Sequence, residues 1–164
     1  MSAPEQRLVE LGIELPVPPG AFGAYLPTQV VGDMLYTSGV LPVRDGKLAY
    51  LGIVGAGLSV ADGAAAARLC ALNLLALIRA ETGSLDRVER IVQVSGFVRS
   101  GEDVRQQPKV LTGASDLLIE ILGERGRHTR MALGTSELPL GAAVEISAVV
   151  KLAGRPAAVA VAAR

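Results

Sequence analysis

The chain has 164 residues, and its 16 basic and 16 acidic side chains give a formal net charge of zero. A length of this order supports one hydrophobic core, so we expect a single main domain. Nucleic-acid-binding proteins usually carry a basic excess, so the charge balance disfavours a nucleic-acid partner. The single cysteine and single histidine exclude an internal disulfide and the Cys/His sets of structural zinc, and we expect no metal site.

The motifs indicate neither a membrane span nor a bound cofactor. No apolar run approaches the roughly 20 residues of a membrane span, and residues 1–7 lack the apolar segment of a secretory signal. These observations favour a cytoplasmic protein. The chain also lacks a glycine-rich phosphate loop and a nucleophile elbow, so we expect its chemistry to need no cofactor.

The sequence of the N-terminal half predicts an extension, a hairpin and a helix. Residues 1–20 are a short amphipathic segment that ends at Gly12 and a proline-rich run, and we treat them as an extension. Strands Thr28–Val31 and Met34–Thr37 flank Gly32-Asp33, a pair typical of tight hairpins, and a third strand is expected at 47–51 before a loop at 52–57.

A long helix is predicted after Ser59, a suitable N-cap, and it ends near Gly83. Small and apolar residues at helical spacing form its predicted packing stripe: Val60, Ala64, Ala67, Ala71, Leu74 and Ile78. The opposite side carries Asp62, Ala66, Asn73 and Ala80. Cys70 lies away from the stripe, and we interpret it as a small packed hydrophobe rather than a nucleophile.

The C-terminal half predicts a strand, a second helix and two more strands. In Val88–Arg99 the residues Val92, Val94, Gly96 and Val98 alternate with polar or aromatic ones. The second helix carries an apolar stripe and ends at Gly123 or Gly126, and strands at 130–134 and 144–151 flank a turn at 138–141. The stripe consists of Val110, Ala114, Leu117, Leu118 and Ile121.

These elements favour an α+β fold in which two helices cover one face of a mixed sheet. The other face would expose apolar side chains, so we expect a homo-oligomer. The alanine- and valine-rich tail, residues 153–164, is either disordered or an added edge strand. The main domain is therefore expected to span residues 21–152.

Two charged residues are the best site candidates. Arg130 begins a short apolar run, and its guanidinium could clamp a small carboxylate with two parallel hydrogen bonds. Glu145 lies inside the last strand on the face opposite Val144 and Ile146, where it could hold a water or move a proton. The alternative is an ordinary cross-strand ion pair between Arg130 and Glu145. His128 could add a polar group beside Arg130, but an exposed turn histidine is the favoured interpretation.

Several segments resemble the RidA/YjgF family of small imine deaminases, in a divergent branch. The resemblance covers about residues 20–152 and is carried by Gly23-Ala24-Tyr25, by residues 35–42 (LYTSGVLP), by Arg130 before Leu138-Pro139, and by Val144-Glu145-Ile146. It implies a chorismate-mutase-like fold and a homotrimer whose ligand clefts lie between subunits. The implied reaction is hydrolysis of enamines or imines to 2-oxo acids and ammonia.

The resemblance also assigns roles to residues. Arg130 would bind the substrate carboxylate, Glu145 would position the attacking water, and Tyr25 and the Gly39 backbone would border the ligand. Thr112 and Ala132 fall at further cleft positions.

Three cleft positions depart from the family pattern. Ala132 stands where deaminating members usually carry a cysteine, Val40 replaces a glutamine, and Gly113 replaces an asparagine. An alternative is therefore a regulatory protein that binds small carboxylates without turnover. An endoribonuclease, an activity attributed to some members, is disfavoured by the neutral charge and sparse aromatic residues.

Overall fold

A computed structural model describes residues 3–18, 20 and 23–154. A five-stranded mixed sheet in the order β1-β2-β9-β7-β8 forms the centre, with β7 and β8 parallel and the other neighbours antiparallel. The helices are α1 (Pro4–Leu11), α2 (Val60–Thr82) and α3 (Gln107–Leu122). The strands are β1 (Thr28–Val31), β2 (Met34–Thr37), β3 (Val43–Arg44), β4 (Lys47–Leu48), β5 (Ile53–Val54), β6 (Gly57–Leu58), β7 (Val88–Arg99), β8 (Thr129–Thr135) and β9 (Val144–Leu152).

One hydrophobic core lies between the sheet and the helices α2 and α3. Alternate residues of β9, including Val144 and Ile146, are buried in it together with the apolar stripe predicted for α3. The predicted α+β fold with helices on one face is therefore confirmed. Leu8 of α1 also enters this core, and α1 ends at Gly12 in the left-handed conformation (φ 63°). The predicted tail from residue 155 onward lies outside the described residues.

Helix α2 follows the predicted boundaries because both ends are capped. The Ser59 hydroxyl accepts a hydrogen bond from the Asp62 N–H, the Asp62 carboxylate accepts one from the Ser59 N–H, and Gly83 ends the helix at φ 82°. The predicted outer face is wrong in part, since Ala66 and Asn73 are buried. The helix is covered on several sides because α3, the sheet and the loop after β2 all pack around it.

Two properties of α2 follow from this burial. Cys70 is fully buried, and burial raises the pKa of its thiol well above the usual range, with the Glu145 charge adding to the effect. This agrees with its interpretation as a packed hydrophobe. By length and composition alone α2 is apolar enough to cross a membrane, which the sequence analysis did not expect. However, 67% of its most apolar 18-residue segment is buried, as in the core helix of a globular domain.

Two strand predictions need correction. The strand expected at 47–51 is only the two-residue β4, paired with β3 across a tight Asp45-Gly46 turn, and the predicted loop at 52–57 contains β5 and part of β6. In β7 the predicted alternation fails at Val92, which is exposed while Ile91 is buried. The pairing of β7 with β9 shifts register between Ile91 and Gln93, and such a bulge reverses the side-chain alternation.

Asn73 connects the core to the segment after β2. Its amide nitrogen donates to the carbonyls of Leu41 (3.3 Å), Val43 (2.8 Å) and Leu69 (3.1 Å). This buried amide therefore fixes the loop that carries Leu41 beneath α2.

We expect Asn73→Ala to lower the free energy of unfolding by about 2–3 kcal/mol, because it leaves buried carbonyls without a donor and opens a small cavity. Urea denaturation at fixed protein concentration measures the loss. Arg68→Ala is the matched control on α2, where an exposed ion pair with Glu120 contributes about 0–1 kcal/mol. Equal losses in the two variants would contradict the role given to Asn73.

Candidate functional site

Glu145 lines a small cavity on the sheet face opposite α2 and α3. The alternation of β9 turns it away from the buried Val144 and Ile146. The cavity has a volume of about 250 Å³ and is lined by Tyr25, Gly39, Leu41, Pro139, Leu140 and Glu145. The structure therefore brings together three residues that the sequence marked as candidates: Tyr25, Gly39 and Glu145.

Gly39 is required at this place by the close approach of Glu145. A Cβ on Gly39 would overlap the Glu145 carboxylate oxygen Oε1. The contact is fixed because the next residue, Val40, forms two backbone hydrogen bonds with Ile146, at 2.7 and 3.1 Å. Partial burial raises the pKa of the Glu145 carboxyl from its ordinary value. A carboxylate with a raised pKa is a better proton acceptor at neutral pH.

Sequence reasoning missed the apolar wall of this cavity. Leu140 takes a left-handed backbone conformation (φ 58°) in the turn at 138–141, which places it beside Glu145. Arg99 at the end of β7 holds the start of this turn through an ion pair with Glu137 at 2.8 Å. No pattern in the sequence distinguishes these residues from an ordinary surface turn.

Arg130 lies at the other face of the sheet. It pairs in register with Val94 of β7, whose side chain is buried beneath the helices, so Arg130 is on the helix side at the sheet edge. Its Nη1 donates to the Ser115 hydroxyl on α3 at 3.0 Å, and the residue is exposed. Ala132 lies on the same face two residues further along and packs against the core.

His128 belongs to this second group, which corrects the favoured interpretation of an exposed turn histidine. It is half-buried, its Nδ1 lies 2.6 Å from the Gly126 carbonyl oxygen, and its Nε2 lies 3.0 Å from the Ser115 hydroxyl. Burial lowers the pKa of His128, and the Arg130 charge lowers it further, while the hydrogen bond to Gly126 acts in the opposite direction. Ser115 was not identified from the sequence, where it is one small residue among several on α3.

Thr112 and Gly113 lie three and two residues before Ser115 on α3. The exposed Thr112 hydroxyl donates to the Pro108 carbonyl at 3.0 Å, within its own helix. A Cβ on Gly113 would overlap the Ala64 carbonyl oxygen, so this glycine allows α2 and α3 to approach closely. The close packing of the two helices gives a physical reason for glycine at this position.

Arg130 and Glu145 do not meet within one chain. Strand β7 separates β8 from β9, and the two side chains lie on opposite faces of the sheet. The alternative of a cross-strand ion pair is therefore wrong. Within residues 3–18, 20 and 23–154, no group of three or more His, Cys, Asp or Glu side chains could hold a metal ion.

The contact between Gly39 and Glu145 leads to a prediction. Gly39→Ala should lower the free energy of unfolding by about 1–3 kcal/mol, because the new methyl group and the carboxylate cannot occupy the same space. Adding Glu145→Ala should recover at least about half of that loss, since it removes the overlapping group. Urea denaturation of the two single variants and the double variant measures the coupling.

Gly20→Ala is the control, because a Cβ there meets no atom within 4 Å. Strictly additive losses in the double variant would contradict the contact.

Comparison with known proteins identifies the family. The model of the family described as "YjgF/chorismate mutase-like, putative endoribonuclease" matches residues 5–152. The protein TCP17 of Trypanosoma cruzi is 43% identical over 147 residues, which cover 89% of this chain and 92% of TCP17.

Solved structures agree with this match. A protein of Shewanella oneidensis MR-1 described as a candidate endoribonuclease is 41% identical, with a TM-score of 0.89 over 92% of this chain and 100% of that chain. Escherichia coli TdcF, described with bound serine, shares the fold at 23% identity, with a TM-score of 0.62 over 82% of this chain and 93% of that chain. The resemblance noted in the sequence is therefore confirmed, and the chain belongs to the RidA/YjgF family, in a divergent branch.

Proposed function

We propose that this protein hydrolyses small enamines and imines carrying a carboxylate to 2-oxo acids and ammonia, in the cytoplasm, at clefts between the subunits of a homotrimer. The observation that carries the proposal is the half-buried Glu145, which is seated over Gly39 and lines a cavity of about 250 Å³. The position suits a group that activates water, because a small ligand and a water both fit in front of the carboxylate.

The sheet face opposite α2 and α3 supports assembly into an oligomer. Tyr36, Met131 and Leu133 lie on this face and are 46%, 41% and 46% exposed. Large apolar side chains on one face indicate a surface that a second copy covers. A trimer is the assembly that the family resemblance implies.

Assembly would also complete the site. Since Arg130 and Glu145 lie on opposite faces of one sheet, a cleft containing both needs Arg130 from one subunit and Glu145 from its neighbour. The edge strand β8 carries Arg130, and an edge strand is free to approach another subunit.

Each residue then has a defined task in hydrolysis. Arg130 binds the substrate carboxylate through two hydrogen bonds. Glu145 takes a proton from the water as its oxygen bonds to the imine carbon, and it passes that proton to the nitrogen. It then takes the remaining hydroxyl proton as the carbonyl forms and gives it to the same nitrogen, which leaves as ammonia. Tyr25 and the Gly39 backbone border the ligand, and Thr112 and the Ala132 backbone lie at the Arg130 side.

A second candidate is a protein that binds small carboxylates without turnover. It is favoured by Ala132, because a methyl group packed against the core stands at the position where the resemblance places a cysteine. TdcF, which shares the fold, holds the carboxylate-bearing amino acid serine. Endoribonuclease activity is the weakest candidate, because the net charge of zero provides no excess of cations for a phosphate backbone.

We expect Arg130→Lys to weaken binding of pyruvate, a small 2-oxo acid, by about tenfold to a hundredfold, since a point charge cannot form two parallel hydrogen bonds to one carboxylate. Isothermal titration calorimetry gives the affinity. Arg127→Lys is the matched control, because Arg127 is exposed and pairs with Glu124 outside the site. Unchanged pyruvate affinity in Arg130→Lys would exclude the clamp.

Glu145→Gln separates the two candidates. It keeps the shape of the side chain but cannot accept the proton, so we expect turnover to fall by about a hundredfold to ten-thousandfold with little change in pyruvate affinity. The assay follows hydrolysis of 2-aminoacrylate generated in situ by a lyase, against the uncatalysed background.

Glu89→Gln, an exposed carboxylate on the same sheet, is the control for this measurement. A wild-type rate equal to the background would favour the binding protein over the enzyme.

A further inference from the structure

Arg130, Ser115 and His128 form a continuous hydrogen-bonded network, and the proposed hydrolysis does not use Ser115 or His128. Arg130 Nη1 on β8 donates to the Ser115 hydroxyl on α3, and His128 contacts both Ser115 (3.0 Å) and the Gly126 carbonyl (2.6 Å). A carbonyl only accepts hydrogen bonds, so His128 Nδ1 carries a proton. In the neutral ring Nε2 is then an acceptor, and the Ser115 proton points to it.

Protonation of His128 reverses the direction of one bond. A hydroxyl has one proton and two lone pairs. When Nε2 gains a proton it donates to the Ser115 oxygen, whose lone pairs then accept from His128 and Arg130 together. The Ser115 proton is released from His128 and becomes a free donor beside the Arg130 guanidinium.

We propose that Ser115 is a second anion-binding group next to Arg130 and that His128 controls it, so that a small carboxylate and a proton bind to this site together. The inference rests on the proposed function, because it requires the ligand carboxylate on Arg130. It adds a ligand-contacting hydroxyl and a pH dependence to that site.

The charges at this site predict the same direction of pH dependence as the hydrogen bonds, namely tighter carboxylate binding when His128 is protonated. The positive charge of Arg130 contributes to the lowered pKa of His128, and a carboxylate bound to Arg130 would cancel that charge. Ligand binding should therefore raise the pKa of His128. By linkage, affinity for the carboxylate must then rise as the pH falls through the pKa range of His128.

The other charged groups near Arg130, Ser115 and His128 either form ion pairs or hydrogen bonds elsewhere or are exposed. On the turn before β8, Arg127 pairs with Glu124, and Arg125 donates to backbone carbonyls of the segment that leads into β7. On α3, Glu120 pairs with Arg68 and Asp116 is exposed. Gln93 of β7, opposite the start of β8, is uncharged. Arg130 is thus the charge that acts on His128, and Asp116, adjacent to Ser115, is the group to control for.

The chain contains one histidine, so its nitrogen signals in NMR need no assignment among several rings. We expect the free, full-length protein to show the tautomer with the proton on Nδ1, and saturating pyruvate to raise the pKa of the ring. Calorimetry from about pH 7.5 to about pH 5.5 should show pyruvate affinity rising by up to about tenfold for each unit of that increase.

Variants separate the contributions of His128 and Ser115 to pyruvate binding. His128→Gln should remove the part of the pH dependence of pyruvate affinity that comes from His128. Any contribution from the titration of Glu145 remains in both the wild type and this variant. Ser115→Ala should weaken binding most at low pH, and Ser115→Thr, which restores a hydroxyl, should recover it. Asp116→Asn should keep the wild-type pH dependence.

The outcomes separate this proposal from the proposed function. If the His128 proton lies on Nε2 in the protein without pyruvate, the proposed coupling between His128 and Ser115 is wrong. Pyruvate binding that depends on Arg130 but has the same pH profile in wild type and His128→Gln overturns the coupling and leaves the clamp intact. Absence of pyruvate binding at every pH contradicts both.

Discussion

Successive side chains of a β-strand point to opposite faces of the sheet, and this alternation determines where each polar group of the domain can act. On β9 it places Val144 and Ile146 in the core and Glu145 on the face opposite the helices. On β8 it places Arg130 on the helix side, in register with the buried Val94. In the proposed function these two residues belong to one ligand site, so a single chain would carry two half-sites that cannot share one ligand. The apolar outer face and the edge strand β8, which carries Arg130, are the features that a second subunit would use to join them.

Glycines allow the close contacts on which these half-sites depend. Gly39 leaves room for the Glu145 carboxylate, and Gly113 lets α3 approach the backbone of α2. A Cβ on Gly96 would overlap the Leu111 side chain, so the same residue type lets α3 pack closely on β7. The position of Ser115 within hydrogen-bonding distance of Arg130 and His128 follows from this packing of α3. Small residues therefore control the geometry of both half-sites as well as the density of the core.

The sequence predicts elements whose ends carry strong local signals. The Ser59 cap and Gly83 define α2, and Gly32-Asp33 defines the first hairpin, because capping and turn chemistry act over a few residues. The bulge in β7 near Val92 could not be predicted, since it arises from pairing with β9. Glu145 was identified from its place inside a strand, and Tyr25 and Gly39 were identified from the family resemblance. Ser115 and the role of His128 were missed because a hydrogen bond between a helix and a distant strand leaves no periodic signal.

The central claim is that one working site needs Arg130 from one subunit and Glu145 from another. Mixing equal amounts of Arg130→Lys and Glu145→Gln chains, unfolding and reassembling them, and measuring hydrolysis of 2-aminoacrylate tests it directly. In randomly mixed trimers about a quarter of the clefts regain both native residues, so the account predicts about a quarter of the wild-type rate. Sedimentation of the mixture confirms that trimers have formed. A rate no higher than that of the two variants reassembled separately would contradict the claim.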